Sequence, residues 1–90
     1  MANHASALKR MRQTQKRRAR NRHYRSSMRT QIKKVRAAVE AGDHETASQE
    51  LNAAVAVIQR LAGKKIIHPR NASRKVSRLY AAVNGLKASE

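Results

Sequence analysis

Val39-Glu40-Ala41-Gly42-Asp43-His44-Glu45-Thr46-Ala47 is the stretch that decides how this chain folds. Gly42 can take the left-handed conformation that closes a helix, because it has no Cβ to clash there. Asp43 follows with a carboxylate able to accept the free backbone N–H groups of a new helix. Glu45, inside the first turn, suits the positive end of that helix dipole. One helix therefore stops here and another starts.

Upstream, residues 5–41 contain neither glycine nor proline. Downstream, the next break runs from Gly63 to Pro69. Gly63 is expected to end the second helix, and His68-Pro69 sets the only proline at the first position of a third. Helical periodicity agrees. Met28, Ile32, Val35 and Val39 form a stripe on helix one. Ala47, Leu51, Ala54, Val55, Ile58, Leu61 and Ala62 form one on helix two. Ala72, Val76, Leu79, Tyr80, Val83 and Leu86 form the third, with Tyr80 expected in the core. Three such stripes close on one another as a small bundle, so the fold class is all-α. The only hint of a strand is the Ile66-Ile67 pair.

Helix one is too long for that bundle. At the standard rise, residues 5–41 span about 55 Å, against about 25 to 30 Å for each of the other two helices. Across residues 12–27 only Ala19 and Tyr24 are apolar. A helix that is polar all round has no core to bury in, so this half must protrude. The expected organisation is one domain over 1–90: a basic arm at 1–27, a three-helix bundle at 28–86 and a flexible tail at 87–90. Within the arm, Arg12/Lys16, Lys16/Arg20, Arg18/Arg22, Arg25/Arg29 and Arg29/Lys33 are like-charged i,i+4 pairs. Together they cost about 1 to 2.5 kcal/mol at low salt, whereas Arg36/Glu40 is the one opposite pair nearby. Residues 5–27 are accordingly expected to fray in the free protein and to become helical on a ligand.

The 21 Lys and Arg stand against 5 Asp and Glu, a net charge of +16. They are segregated. Residues 1–36 carry 13 basic and no acidic side chains, residues 37–63 are mildly acidic, and residues 64–90 are basic again. Strong core formers are few, with 15 Leu, Ile and Val and no Phe, so no enzyme cavity can be walled. With no cysteine there is no disulfide or thiolate chemistry. The histidines at 4, 23, 44 and 68 share no ligand spacing, so no metal, cofactor or catalytic residue is expected. The longest apolar run, residues 53–58, is far short of the roughly 20 needed to cross a bilayer. No secretory signal is apparent. The Arg-rich N-terminus has a transit-peptide composition without the apolar face such a peptide needs, which leaves a reducing cytoplasm as the expected compartment. For the same reason the arm is no membrane-active helix.

What the arm needs is a polyanion. At the standard rise residues 9–36 carry about one positive charge per 3.2 Å of helix, the same order as the one negative charge per 1.7 Å of a nucleic acid duplex. Arginine outnumbers lysine 13 to 8, and arginine grips phosphate with two prongs and stacks on bases. On helix three, Arg70, Arg74, Ser77 and Arg78 fall within about 100° of arc opposite the apolar stripe. No helix-turn-helix is present, and two tyrosines are too few for a stacking platform. The pattern fits a binder of folded RNA that reads shape and phosphate positions. A nucleoid-type DNA-binding protein is the alternative.

The residues also resemble a known family, the bacterial small-subunit ribosomal protein S-twenty family. Ala2-Asn3-His4, Ser6-Ala7-Leu8-Lys9-Arg10, Arg12, Lys16-Arg17-Arg18 and Arg20-Asn21 carry the likeness at the N-terminus. It continues through Ser26 or Ser27, Thr30, Ile32-Lys33-Lys34-Val35, Gly42-Asp43, Ile67-His68, Asn71-Ala72, Arg74-Lys75 and Ser77-Arg78-Leu79. The resemblance implies a three-helix protein that binds 16S ribosomal RNA directly and stabilises its folding early in assembly, among helices of the 5′ domain and near the penultimate helix. It carries over Lys9, Arg10, Arg12, Lys16, Arg17, Arg18, Arg20, Asn21, Arg25 and Arg29 as arm contacts. Asn71, Arg74, Lys75, Ser77 and Arg78 follow on helix three. His4, Ser6, Arg22 and Lys33 join the candidate set from the same motifs and charge run. Pro69 departs from the polar or basic residue expected there, and Tyr24 is a candidate ribose or base contact.

Overall fold

The computed structural model describes residues 2–88, with side chains over 4–86. It is all-helical: α1 is Ala2–Glu40, α2 His44–Gly63 and α3 Pro69–Ala88. The molecule measures 69 × 21 × 14 Å, so the first helix does outrun the other two. Of the tail expected at 87–90, residues 87 and 88 continue α3, and 89–90 lie outside the described residues.

The turn after α1 forms as the sequence dictates. Gly42 has φ +74°. Its N–H donates to the Val39 carbonyl at 3.1 Å, and the Asp43 N–H donates to Ala38 at 3.1 Å. These are the paired bonds that close a helix around a left-handed residue. Asp43 then caps α2: its Oδ1 accepts the Thr46 N–H at 3.1 Å and its Oδ2 the Thr46 hydroxyl at 2.6 Å. The hydroxyl bond, then the backbone bond, hold this carboxyl below its ordinary value.

Gly63 ends α2 as expected, and the left-handed position beyond it falls to Lys65, with φ 63°. The Lys65 N–H donates to Ala62 at 3.0 Å and the Ile66 N–H to Leu61 at 2.9 Å, the same pair of closing bonds. Burial explains the register. The residue after the left-handed one packs back on the last turn of the helix. Placing Lys65 there lets Ile66 sit buried in the core with Leu61, whereas Gly63 would have turned Lys64 inward. α3 opens at Pro69 as expected, and the His68 Nδ1 accepts the Arg70 N–H at 3.1 Å as its cap.

The core is Met28, Val35, Leu51, Ile58, Leu61, Ile66, Leu79 and Val83, with alanines at 38, 47, 54 and 72 at the helix contacts. α1 and α2 are also tied by Gln31, whose Nε2 donates to the Glu50 carboxylate at 2.6 Å and to the Glu50 carbonyl at 3.2 Å. Tyr80 departs from its expected place in the core. It is 43% exposed, because one residue past Leu79 is 100° round the helix and leaves the stripe. Tyr24, the candidate ribose or base contact, is half-buried and packs against the core. The Lys64 ammonium lies 5.4 Å from its ring centroid, near enough for a cation–π contact. The buried face of α1 thus begins at Asn21 and Tyr24, while every side chain from 4 to 20 is exposed.

Candidate nucleic-acid interface

α1 delivers most of the candidate residues. His4, Ser6, Lys9, Arg10, Arg12, Lys16, Arg17, Arg18 and Arg20 all stand exposed on the projecting part of the helix. At 100° per residue these cations point all round the axis. No single surface gathers them, so the projecting helix offers charge on every side.

Order appears where the arm meets the bundle. Arg18, Arg22, Arg25 and Arg29 follow one another by four, three and four residues, and with Asn21 they line a groove of about 410 Å³. Their shared flank lies beside the buried stripe. Arg25 is anchored, because its guanidinium donates to the Ile66 carbonyl at 3.2 Å across 41 residues of sequence. One of the expected arm contacts is therefore partly committed to holding the α2–α3 turn against α1. The Asn21 Oδ1 is occluded in this groove without a hydrogen-bond partner. Lys33 is exposed further along α1.

On α3, Arg74 and Ser77 share the exposed outer face with Arg70, and Asn71 is also exposed. Lys75 and Arg78, at the edge of that face beside α1, line a notch with Ile32, Arg36 and Leu79. The candidate set thus divides into an arm, a groove at its root, an outer α3 face and this notch. Sequence reasoning missed Arg36, which spacing had paired with Glu40. It also passed over Lys64 and Lys65, adjacent cations in the turn before Pro69.

The candidate residues so placed are mainly guanidinium and ammonium groups, joined by the amides of Asn21 and Asn71, the hydroxyls of Ser6 and Ser77 and the His4 ring. Among the described residues no cluster of histidines and carboxylates could hold a metal ion. No helix among them is long and apolar enough to cross a membrane.

Comparison with known proteins gives the arrangement its lineage. The family model described as Ribosomal protein S20 matches residues 2–84. The chain belongs to the ribosomal protein S20 family. It is 58% identical to the small ribosomal subunit protein bS20 of Geotalea daltonii, over 96% of this chain and 99% of the relative. It is 55% identical to the bS20 protein of Geobacter sulfurreducens over the same shares. The bS20 protein of Nitratidesulfovibrio vulgaris is 49% identical, over 97% of this chain and all of the relative. As an S20-family member the chain is a structural ribosomal protein rather than an enzyme. The family match runs through the arm, the groove and the notch alike.

Proposed function

We propose that this chain is a structural component of the small ribosomal subunit that binds 16S ribosomal RNA directly, through phosphate contacts, and stabilises its folding early in assembly. The observation that carries the reading is the projecting half of α1. Residues 4–20 hold seven Lys and Arg, no carboxylate and no buried side chain. A helix in that state gains nothing from its own protein, and a phosphate backbone supplies the missing counter-charge. The relatives' shared designation as small ribosomal subunit proteins supports ribosomal RNA as that backbone, and it makes the cytoplasmic ribosome the site of action.

In this reading residues 1–27 work as the arm and the bundle carries a second set of contacts. The arm set is His4, Ser6, Lys9, Arg10, Arg12, Lys16, Arg17, Arg18, Arg20, Asn21, Arg22 and Arg25, and Arg29 and Lys33 continue it along α1 beyond residue 27. The bundle set is Asn71, Arg74, Lys75, Ser77 and Arg78. The 5′ domain and the region of the penultimate helix are the partner segments. Footprinting of the purified chain on 16S ribosomal RNA tests all of this, with protection expected in those two segments. Log affinity should fall against log salt by about 0.7 to 0.9 per phosphate neutralised. No protection even at low salt refutes the reading. Equal affinity for duplex DNA at physiological salt turns it toward a nucleoid protein.

A further inference from the structure

Most of this protein's cations lie along one helix, where covalent geometry alone forces them together. One group is different. Arg36 comes from α1, Lys75 and Arg78 from α3, and packing brings the three around a notch of about 80 Å³. Its remaining lining residues are Ile32 and Leu79, and no carboxylate is among them. Leu79 is buried, Ile32 and Lys75 are half-buried, and the two arginines are exposed.

Three cationic side chains from two helices line one notch, so an anion that enters it meets all of them. The notch is small and open to solvent, so it can receive a phosphate group presented from the surface. Two guanidiniums offer planar, two-pronged donation to phosphate oxygens, and the lysine adds a point charge.

We propose that Arg36, Lys75 and Arg78 form a discrete phosphate-binding notch on the bundle, which seats one backbone phosphate of the ribosomal RNA. The proposal rests on the RNA-binding reading above and adds to it a new contact residue, Arg36, and a fixed point away from the arm. Because the notch is built by tertiary packing, it is already formed when RNA arrives.

The test uses the full-length chain and a 16S ribosomal RNA transcript. Arg36→Gln should weaken binding about tenfold or more, as expected for charge-assisted hydrogen bonds, and lower the salt slope by about one. Arg60→Gln, on the exposed face of α2, removes the same charge and should change affinity less than about twofold if screening dominates there. Arg36→Gln together with Arg78→Gln should lose less than the product of the two single losses, since both grip one phosphate. The Arg36→Gln protein should melt within a few degrees of wild type, because Arg36 is exposed and gives up only its i,i+4 pairing with Glu40. Equal losses for Arg36→Gln and Arg60→Gln, or a multiplicative double variant, would each overturn the notch while wild-type binding stands. Failure of the wild-type chain to bind the transcript refutes the RNA reading itself.

Discussion

The two ends of α1 are one continuous helix held by different forces. From Asn21 to Glu40 the helix buries a stripe of side chains against α2 and α3, and Gln31 bonds across to Glu50. From residue 4 to residue 20 it buries nothing. In the first region hydrophobic burial opposes the entropy of ordering the chain. In the second only backbone hydrogen bonds and propensity do so, against like-charge repulsion. A helix without a core is therefore ordered by whatever neutralises it.

The largest expected effect sets the two regions most sharply apart. Ile58 is fully buried, and Ile58→Ala should cost about 2 to 5 kcal/mol. A domain of this size has about 3 to 5 kcal/mol in all, so that variant should be largely unfolded by circular dichroism at 37 °C. Deletion of residues 2–20 should leave the melting temperature within about two degrees, because every side chain from 4 to 20 is exposed. The same deletion removes seven cations and should flatten the salt dependence of RNA binding by about 5 to 6. An equal loss of stability from both changes would erase the distinction between the regions.

A second measurement addresses the arm alone. Addition of 16S ribosomal RNA should increase the helical signal of the protein by up to the contribution of residues 4–20, while the deletion variant gains nothing. An unchanged signal would mean that the arm is fully helical without RNA.

Within the bundle the two turns provide a smaller contrast. Gly42 and Lys65 occupy the same left-handed position, yet only glycine does so without strain. Lys65→Gly should raise stability by about 1 kcal/mol and Gly42→Ala should lower it by a similar amount. For a domain of this size each corresponds to about 4 to 8 °C in melting temperature. Shifts of the same sign would contradict the closing geometry.

The smallest effect is the acid limb. Hydrogen bonds from Thr46 favour the ionised form of Asp43, so its folded-state pKa lies below the unfolded one. The stabilisation is then complete above the unfolded value and is lost as pH falls through the lowered one. Asn can still cap the helix but does not titrate. Asp43→Asn should therefore melt slightly below wild type at neutral pH and lose that deficit in acid. A deficit that persists at pH 2 would rule out this origin.

Some of this was legible in the residues and some was not. Gly42-Asp43 and His68-Pro69 announce their turns through local backbone chemistry, which needs no knowledge of the rest of the chain. Lys65 does not. Its conformation follows from the burial of Ile66, a tertiary event that overrides the intrinsic preference of glycine at 63. Asn21, Tyr24 and Met28 are spaced by three and four, the same rhythm as the core stripe. A polar residue and a tyrosine conceal that continuity from a count of aliphatic side chains. Tyr80 errs the other way, as an apolar residue one step outside its stripe. Arg36 shows a limit of linear spacing: a neighbour at i+4 is visible in the sequence, whereas the facing flank of α3 is not. The candidate interface was thus readable wherever one helix supplies it, and unreadable where two must meet.

Unbroken helix from arm to bundle also couples distance to direction. One extra residue after Gln15 would shift the outer arm by about 1.5 Å and swing it through about 100° relative to the bundle. Seven extra residues would push it about 10.5 Å outward yet return it to within about 20° of its original heading. The protein therefore holds its outermost cations at a set phase as well as a set reach, and an RNA that engages both ends must match the two together.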